Sequence, residues 1–203
     1  MRSLSLVAVG ILVLGTVAMT GCSSKKTVTR LETDTVTDLS GRWNDTDSRL
    51  VAEEMIGSAL SMPWLSEFHR STGKNPVIIA GSIQNRSHEH IETRTFLKDI
   101  QRALLQSGQV SLVADSGERE EVRDERLDQL ENADPQTVKR LGMELGADFM
   151  LSGEINTIVD QEEGVKVVFY QVDLQLINIE TNAIVWMEEK KIKKGITQGK
   201  YKT

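Results

Sequence analysis

Apolar and polar residues alternate along the last third of the chain, and this alternation predicts β-strands. Within residues 166–179, apolar residues recur at every second position from 168 to 176, and these residues are Val168, Tyr170, Val172, Leu174 and Leu176. Successive side chains of a strand point to opposite faces, so one face of this strand is expected to be buried and the other to contact water. Similar patterns predict strands at about 148–159 and 183–192, joined to it by hairpin turns.

A second pattern, with apolar residues three and four positions apart, predicts helices. One expected helix is capped by Asp45 or Asp47 and runs to Ser61, and a second has Pro63 in its first turn and ends near Gly73. Two more span 92–106 and the highly charged segment 116–132. Asp134 as the cap and Pro135 in the first turn predict one more helix, which would end at Gly146.

Two short apolar runs, 77–83 and 110–114, flank the predicted helix 92–106. A strand, a helix and a strand in this order favour a parallel pair with a right-handed crossover. The whole pattern therefore predicts an α+β fold, in which a mixed sheet of about five strands carries helices packed on it.

The amino-terminal residues have a different pattern, typical of a signal peptide at residues 1–21. Arg2 precedes an apolar run from Leu4 to Thr20, which ends just before Cys22. A basic start, a short apolar core and small residues before the cleavage site are the marks of a secretory signal. The segment also resembles a bacterial lipobox, which predicts that Cys22 becomes the first mature residue and carries acyl chains such as palmitate.

Residues 22–38 are predicted to be the lipidated amino terminus and a flexible tether. The stretch from Ser23 to Asp38 is rich in Thr, Ser and charged residues and has no apolar periodicity. At about 3.3 Å per residue it reaches roughly 50 Å when extended. Residues 39–203 are left for one folded domain, a length that can bury a real core.

The net charge and the single cysteine argue against several classes of function and of stabilising site. The formal net charge is −6, and Cys22 is the only cysteine. An acidic net charge argues against a general nucleic-acid binder, since phosphate binding needs a basic face. A lipidated Cys22 leaves no thiol for a disulfide or a cysteine zinc site, so the domain is expected to be stable by packing alone.

No residue pattern predicts catalysis, and we expect neither a cofactor nor a bound metal. His88 and His90 are the best metal candidates, but two imidazoles without further ligands are more typical of an exposed loop. Neither a GxSxG sequence nor a glycine-rich phosphate loop occurs. The chain is therefore expected not to be an enzyme.

Two places are candidates for partner binding. Asn85 and Arg86 follow the first predicted strand, where loops often carry function, and Arg86 could make a forked contact with a partner carboxylate. Alternatively, Asn85 shapes the turn and Arg86 pairs with local acids. Trp43 is a typical interface residue if it is exposed, whereas it covers the core if it is buried.

Several segments together resemble the LpoB family of penicillin-binding protein activators. They are the lipobox at Cys22, residues 38–56, residues 76–87 with Asn85-Arg86-Ser87, and the closing hairpin with residues 183–194. The resemblance implies a domain similar to the N-terminal domain of TolB. It also implies an outer-membrane lipoprotein, anchored at the periplasmic face, that binds and activates a bifunctional peptidoglycan synthase.

Two further expectations accompany this resemblance. The domain is expected to be a monomer that contacts its synthase through Asn85, Arg86 and Trp43. The alternative is a structural or assembly lipoprotein of a secretion or envelope complex, which would be expected to form rings.

Overall fold

The structure is a computed structural model that describes residues 27–139 and 144–197. The chain divides into two units, Met1–Thr33 and Asp34–Thr203. Residues 27–33, the described part of the first unit, are exposed and belong to no helix or strand. The predicted signal peptide and Cys22 lie outside the described residues.

The second unit contains four helices and five strands among its described residues. The helices are α1 (Asp45–Ser61), α2 (Pro63–Thr72), α3 (Thr93–Gln106) and α4 (Ser116–Asn132). The strands are β1 (Val77–Arg86), β2 (Ser111–Val113), β3 (Phe149–Glu162), β4 (Val165–Asn178) and β5 (Ile184–Thr197).

One mixed sheet has the strand order β2-β1-β3-β4-β5. Strands β2, β1 and β3 are parallel, and β3, β4 and β5 are antiparallel. Strands β1 and β2 form the parallel pair expected from the sequence, and α3 connects them. The prediction of an α+β fold with a five-stranded mixed sheet is confirmed, and the proposed likeness to the TolB domain stays a prediction.

The helices α1 and α3 pack against each other and against the sheet. The five apolar residues predicted to alternate along β4 are all buried, and Tyr170 and Val172 have no exposed surface. Phe96 and Ile100 of α3 are equally inaccessible. The core therefore lies between the helices and one face of the sheet, and polar residues alternate onto the other face.

Local sequence signals explain several element boundaries. Asn44 caps α1, and Asp47 completes the capping box by accepting a hydrogen bond from the backbone N–H of Asn44, so neither aspartate is the cap itself. Glu163 and Gly164 form the two-residue turn between β3 and β4, with φ angles of 42° and 84°. Positive φ at both positions suits the twist of a tight hairpin.

The expected exposed helix is present as α4, which has no buried residue. Ion pairs hold it to the domain: Arg123 contacts Glu144 through two nitrogens at 2.7 and 2.8 Å, and Lys98 of α3 contacts Glu118 at 2.8 Å. The hydrogen bond from Arg123 lowers the pKa of Glu144. The helix is therefore attached by charges rather than by an apolar stripe.

The prediction of a helix after Asp134 is wrong for the residues of this segment that the structure describes. Residues 135–137 form a turn in which the backbone N–H of Thr137 donates to the Asp134 carbonyl oxygen at 2.8 Å. Residues 140–143 lie outside the described residues, and Leu145 is 63% exposed. A cap and a proline can start a turn, but without a buried apolar face they do not extend it.

Among the helices of the described residues, none has both the length and the apolar character needed to cross a membrane.

Candidate functional site

The structure places Asn85 and Arg86 in β1 rather than in the loop after it. The strand runs to Arg86, three residues beyond the predicted end. The side-chain amide of Asn85 donates to the Glu89 carbonyl oxygen at 2.8 Å, and its oxygen accepts from the Ser87 backbone N–H at 2.9 Å. Asn85 therefore shapes the turn that follows β1.

Arg86 is exposed but already has local partners. Its Nε lies 2.7 Å from Glu154 of β3, and one terminal nitrogen donates to Gln84 at 2.8 Å. Hydrogen bonds from Asn156 and from Arg86 lower the pKa of Glu154. With 57% of its side chain exposed, Arg86 is held in a fixed position at the surface.

Arg86 belongs to the sheet face opposite the core, which we call the open face. On β3 and β4 this face carries residues that are exposed or only partly covered: Ser152, Glu154, Asn156, Ile158, Val165, Val167, Phe169, Gln171, Asp173 and Gln175. Several of these side chains bond to one another, such as Gln171 to Asp173 at 3.0 Å and Gln175 to Ser152 at 3.2 Å. The polar groups of the open face are therefore pre-arranged by contacts within β4 and between β4 and β3.

Trp43 lies on the core side of the domain and is half-buried. Its ring centroid is 5.8 Å from that of Phe96 and 5.7 Å from that of Tyr170, both in edge-on contact. Its indole N–H donates to the Ser48 hydroxyl at 2.8 Å. These contacts correspond to the interpretation in which Trp43 covers the core, and its predicted role in partner binding stays a prediction.

The structure makes a test of these two roles possible. Trp43→Ala is expected to lower the free energy of unfolding by about 2 kcal/mol, because an aromatic side chain and two ring contacts are lost. Urea denaturation measures the change, and the exposed neighbour replaced in Arg42→Ala serves as the control. Weaker partner binding with unchanged unfolding would instead show that Trp43 is an interface residue.

Glu89, in the turn after β1, fixes the segment that precedes α1. One of its carboxylate oxygens accepts a hydrogen bond from the Tyr170 hydroxyl at 2.9 Å, and the other accepts from the Trp43 backbone N–H at 3.2 Å. Burial raises the pKa of Tyr170, and the bond to Glu89 raises it further. The residues leading into α1 are thereby attached to the middle of β4.

A buried cation strengthens the same attachment. The Lys194 ammonium lies 2.6 Å from Asp47, 2.6 Å from Asp38 and 3.1 Å from the Arg42 carbonyl oxygen. The side chains of Lys194 and Asp47 are only 8% and 7% exposed. Burial alone would lower the pKa of Lys194, but the bonds to the two aspartates outweigh it and raise this pKa.

The sequence interpretation missed this buried cluster. The sequence marks Asp47 only as a possible helix cap, and it does not single out Lys194. Asp47 and Lys194 are 147 residues apart, and no local pattern connects them. An ion pair of this kind can be found only when the strand order is known.

The two histidines do not gain metal ligands in the structure. His88 and His90 are both exposed. Within residues 27–139 and 144–197, no group of three or more His, Cys, Asp or Glu side chains is arranged to hold a metal ion.

Comparisons with known proteins support one family. A family model described as "Peptidoglycan-synthase activator LpoB" matches residues 47–192. No curated protein matches the chain.

Three of the solved structures that resemble the chain are structures of LpoB or of its C-terminal domain. The LpoB C-terminal domain from Escherichia coli is 17% identical, with a TM-score of 0.45, over 72% of this chain and 98% of that one. The NMR structure of E. coli LpoB is 13% identical, with a TM-score of 0.43, over 97% and 91%. The LpoB C-terminal domain from Salmonella enterica is 18% identical, with a TM-score of 0.36, over 64% and 93%.

Proposed function

Because the chain belongs to the peptidoglycan-synthase activator LpoB family, we propose that it binds a bifunctional penicillin-binding protein in the periplasm and raises its activity. The observation that carries this proposal is the family match over residues 47–192, which runs from the first helix into the last strand. The match therefore covers the folded domain rather than a short motif.

The proposed mechanism is regulation without catalysis by this chain. An activator raises activity when it binds the active conformation of its partner more tightly than the inactive one. A tenfold shift of that equilibrium requires a difference of about 1.4 kcal/mol in binding free energy. A few well-placed contacts supply this amount.

The open face around Arg86 is the proposed contact surface. Arg86 is exposed and held in place by Glu154 and Gln84, so little side-chain freedom is lost when a partner binds. Asn85 shapes the turn beside it and would position the neighbouring backbone. Trp43, the third predicted contact, would act mainly by holding the segment before α1.

We further propose that the protein is an outer-membrane lipoprotein anchored through Cys22 at the periplasmic face. The support is the signal-like pattern before Cys22 and the polar stretch after it. The domain would act as a monomer at the end of a tether that spans roughly 50 Å when extended.

Arg86→Ala tests the proposed contact. Added to the same organism's purified bifunctional penicillin-binding protein, the wild-type chain is expected to increase both glycan-chain synthesis and cross-linking. Arg86→Ala is expected to require about fivefold to tenfold more protein for half-maximal stimulation, the effect typical of a lost interface arginine.

Arg102→Ala is a matched control for this experiment. Arg102 is 62% exposed, against 57% for Arg86, and also makes one ion pair at 2.7 Å, but it lies on α3. Equal effects of the two substitutions would place the contact elsewhere. Neither binding nor stimulation by the wild-type chain would reject the activator function and favour the assembly-factor alternative.

A further inference from the structure

The hairpin formed by β3 and β4 exposes apolar residues at its free end. The last five residues of β3 are all exposed, among them Ile158 at 66%, and Val165 at the start of β4 is 49% exposed. Scattered single apolar residues are normal on a surface, but a contiguous group usually marks an interaction site.

The strand register shows that these apolar residues are contiguous. Ile158 lies directly opposite Phe169, and Val165 and Val167 follow on the same face of β4 at alternate positions. The neighbouring position on β5, opposite Val167, is Gly195, where an added Cβ would meet no atom within 4 Å. Ile158, Val165, Val167 and Phe169, which we call the hairpin patch, therefore form one apolar surface with a shallow dip beside it.

The end of the hairpin patch nearest the turn is acidic. Asp160 and Glu162 follow Ile158 at every second position of β3 and therefore lie on the same face. Glu163 follows in the turn. None of these three carboxylates takes part in an ion pair with another described residue. Lys193, opposite Phe169, is the adjacent cation on β5. A partner that buried this region would have to supply positive charge near the hairpin end.

From this arrangement, we propose that the hairpin patch is the apolar centre of the synthase-binding surface, and that it takes a protein surface with an apolar side chain flanked by Lys or Arg. The proposal rests on the proposed activator function and extends it to a second place on the open face. Arg86 pairs with Asn156 in the register, and Ile158 is two residues further along β3 on the same face. The two places therefore adjoin and can be covered by one partner.

Paired substitutions test the patch with the full chain in detergent and the same organism's bifunctional penicillin-binding protein as the probe. Ile158→Asp is expected to raise the dissociation constant at least tenfold, because it puts a charge into the apolar centre. Ile184→Asp is the matched control, since Ile184 is also a strand isoleucine and is 52% exposed but lies at the start of β5. Ile184→Asp is expected to change the dissociation constant less than about twofold.

Charge reversal provides a second test that does not depend on packing. Glu162→Lys is expected to weaken binding about threefold to tenfold, whereas Glu180→Lys, an exposed glutamate between β4 and β5, is expected to have no effect. Both residues are exposed, so neither change removes a core contact.

The outcomes separate the two proposals. Absence of binding by the wild-type chain would reject the activator function and the patch together. Wild-type binding that Ile158→Asp and Glu162→Lys leave unchanged would reject only the patch. With the photoreactive amino acid p-benzoylphenylalanine at position 165, a cross-link to the synthase supports the proposal. Cross-links only to a second copy or to the chain's own residues 198–203 would overturn it.

Discussion

Lys194→Ala is expected to lower the free energy of unfolding by about 3–5 kcal/mol, the usual cost of breaking a buried ion pair by removing one partner. The substitution leaves the carboxylate of Asp47 with only 7% of its side chain exposed and without its cation. It also releases Asp38, which joins the residues before α1 to β5. Urea denaturation monitored by circular dichroism measures the loss.

Lys193→Ala is the control for this prediction. Lys193 is the exposed neighbour in the same strand, so its removal is expected to cost less than about 0.5 kcal/mol. The double variant Lys194→Met with Asp47→Asn is expected to regain part of the loss, because it leaves no buried charge. Equal losses for Lys194→Ala and Lys193→Ala would show that the buried cluster does not stabilise the fold.

The same cluster predicts a dependence on pH. The pKa of Lys194 is raised in the folded state, so its contribution to stability is complete below the unfolded pKa of about 10.4 and is lost as the pH rises above it. Tyr170, whose pKa is also raised, adds to the alkaline loss. The unfolding free energy of wild type is therefore expected to fall more steeply above pH ~10.4 than that of Lys194→Met, which keeps only the tyrosine contribution.

Cys22→Ser is expected to move the protein from the membrane fraction to the soluble fraction. Each buried methylene of an acyl chain contributes about 0.8 kcal/mol, so several chains anchor a protein stably and their loss removes the anchor completely. Cell fractionation measures the distribution, and mass spectrometry of the wild-type amino terminus measures the acyl chains.

Ser24→Ala is the control for the anchor, because it changes a nearby residue and leaves the cysteine in place. It is expected to stay in the membrane fraction. If Cys22→Ser also stays there, the apolar segment 4–20 rather than a lipid holds the protein, and the lipoprotein proposal is wrong.

Features set by neighbouring residues could be predicted from the sequence. The alternation along β4 located its buried face, and Pro63 and Gly73 marked both ends of α2. The same local reasoning failed after Asp134, where a cap and a proline started only a turn. Local signals specify how an element begins, but burial against other elements decides whether it continues.

Less of the candidate contact surface could be predicted, because it is formed by residues that are far apart in the sequence. Arg86 was predicted in the loop after the first strand, but the structure places it at the last position of β1. Pairing with a local acid was one of the two interpretations that the sequence left open. Its partner Glu154 is 68 residues away and becomes a neighbour only through the pairing of β1 with β3. The hairpin patch was not foreseen, because alternation in one strand indicates which residues share a face but not which residues lie opposite them on the next strand.

The buried pair of Asp47 and Lys194 also determines when the domain can be completed. A chain is synthesised from its amino terminus, so α1 is made long before β5. Until Lys194 arrives 147 residues later, Asp47 cannot be buried without an uncompensated charge. The first helix and the last strand are therefore expected to dock together, late in folding, when nearly the whole chain is available.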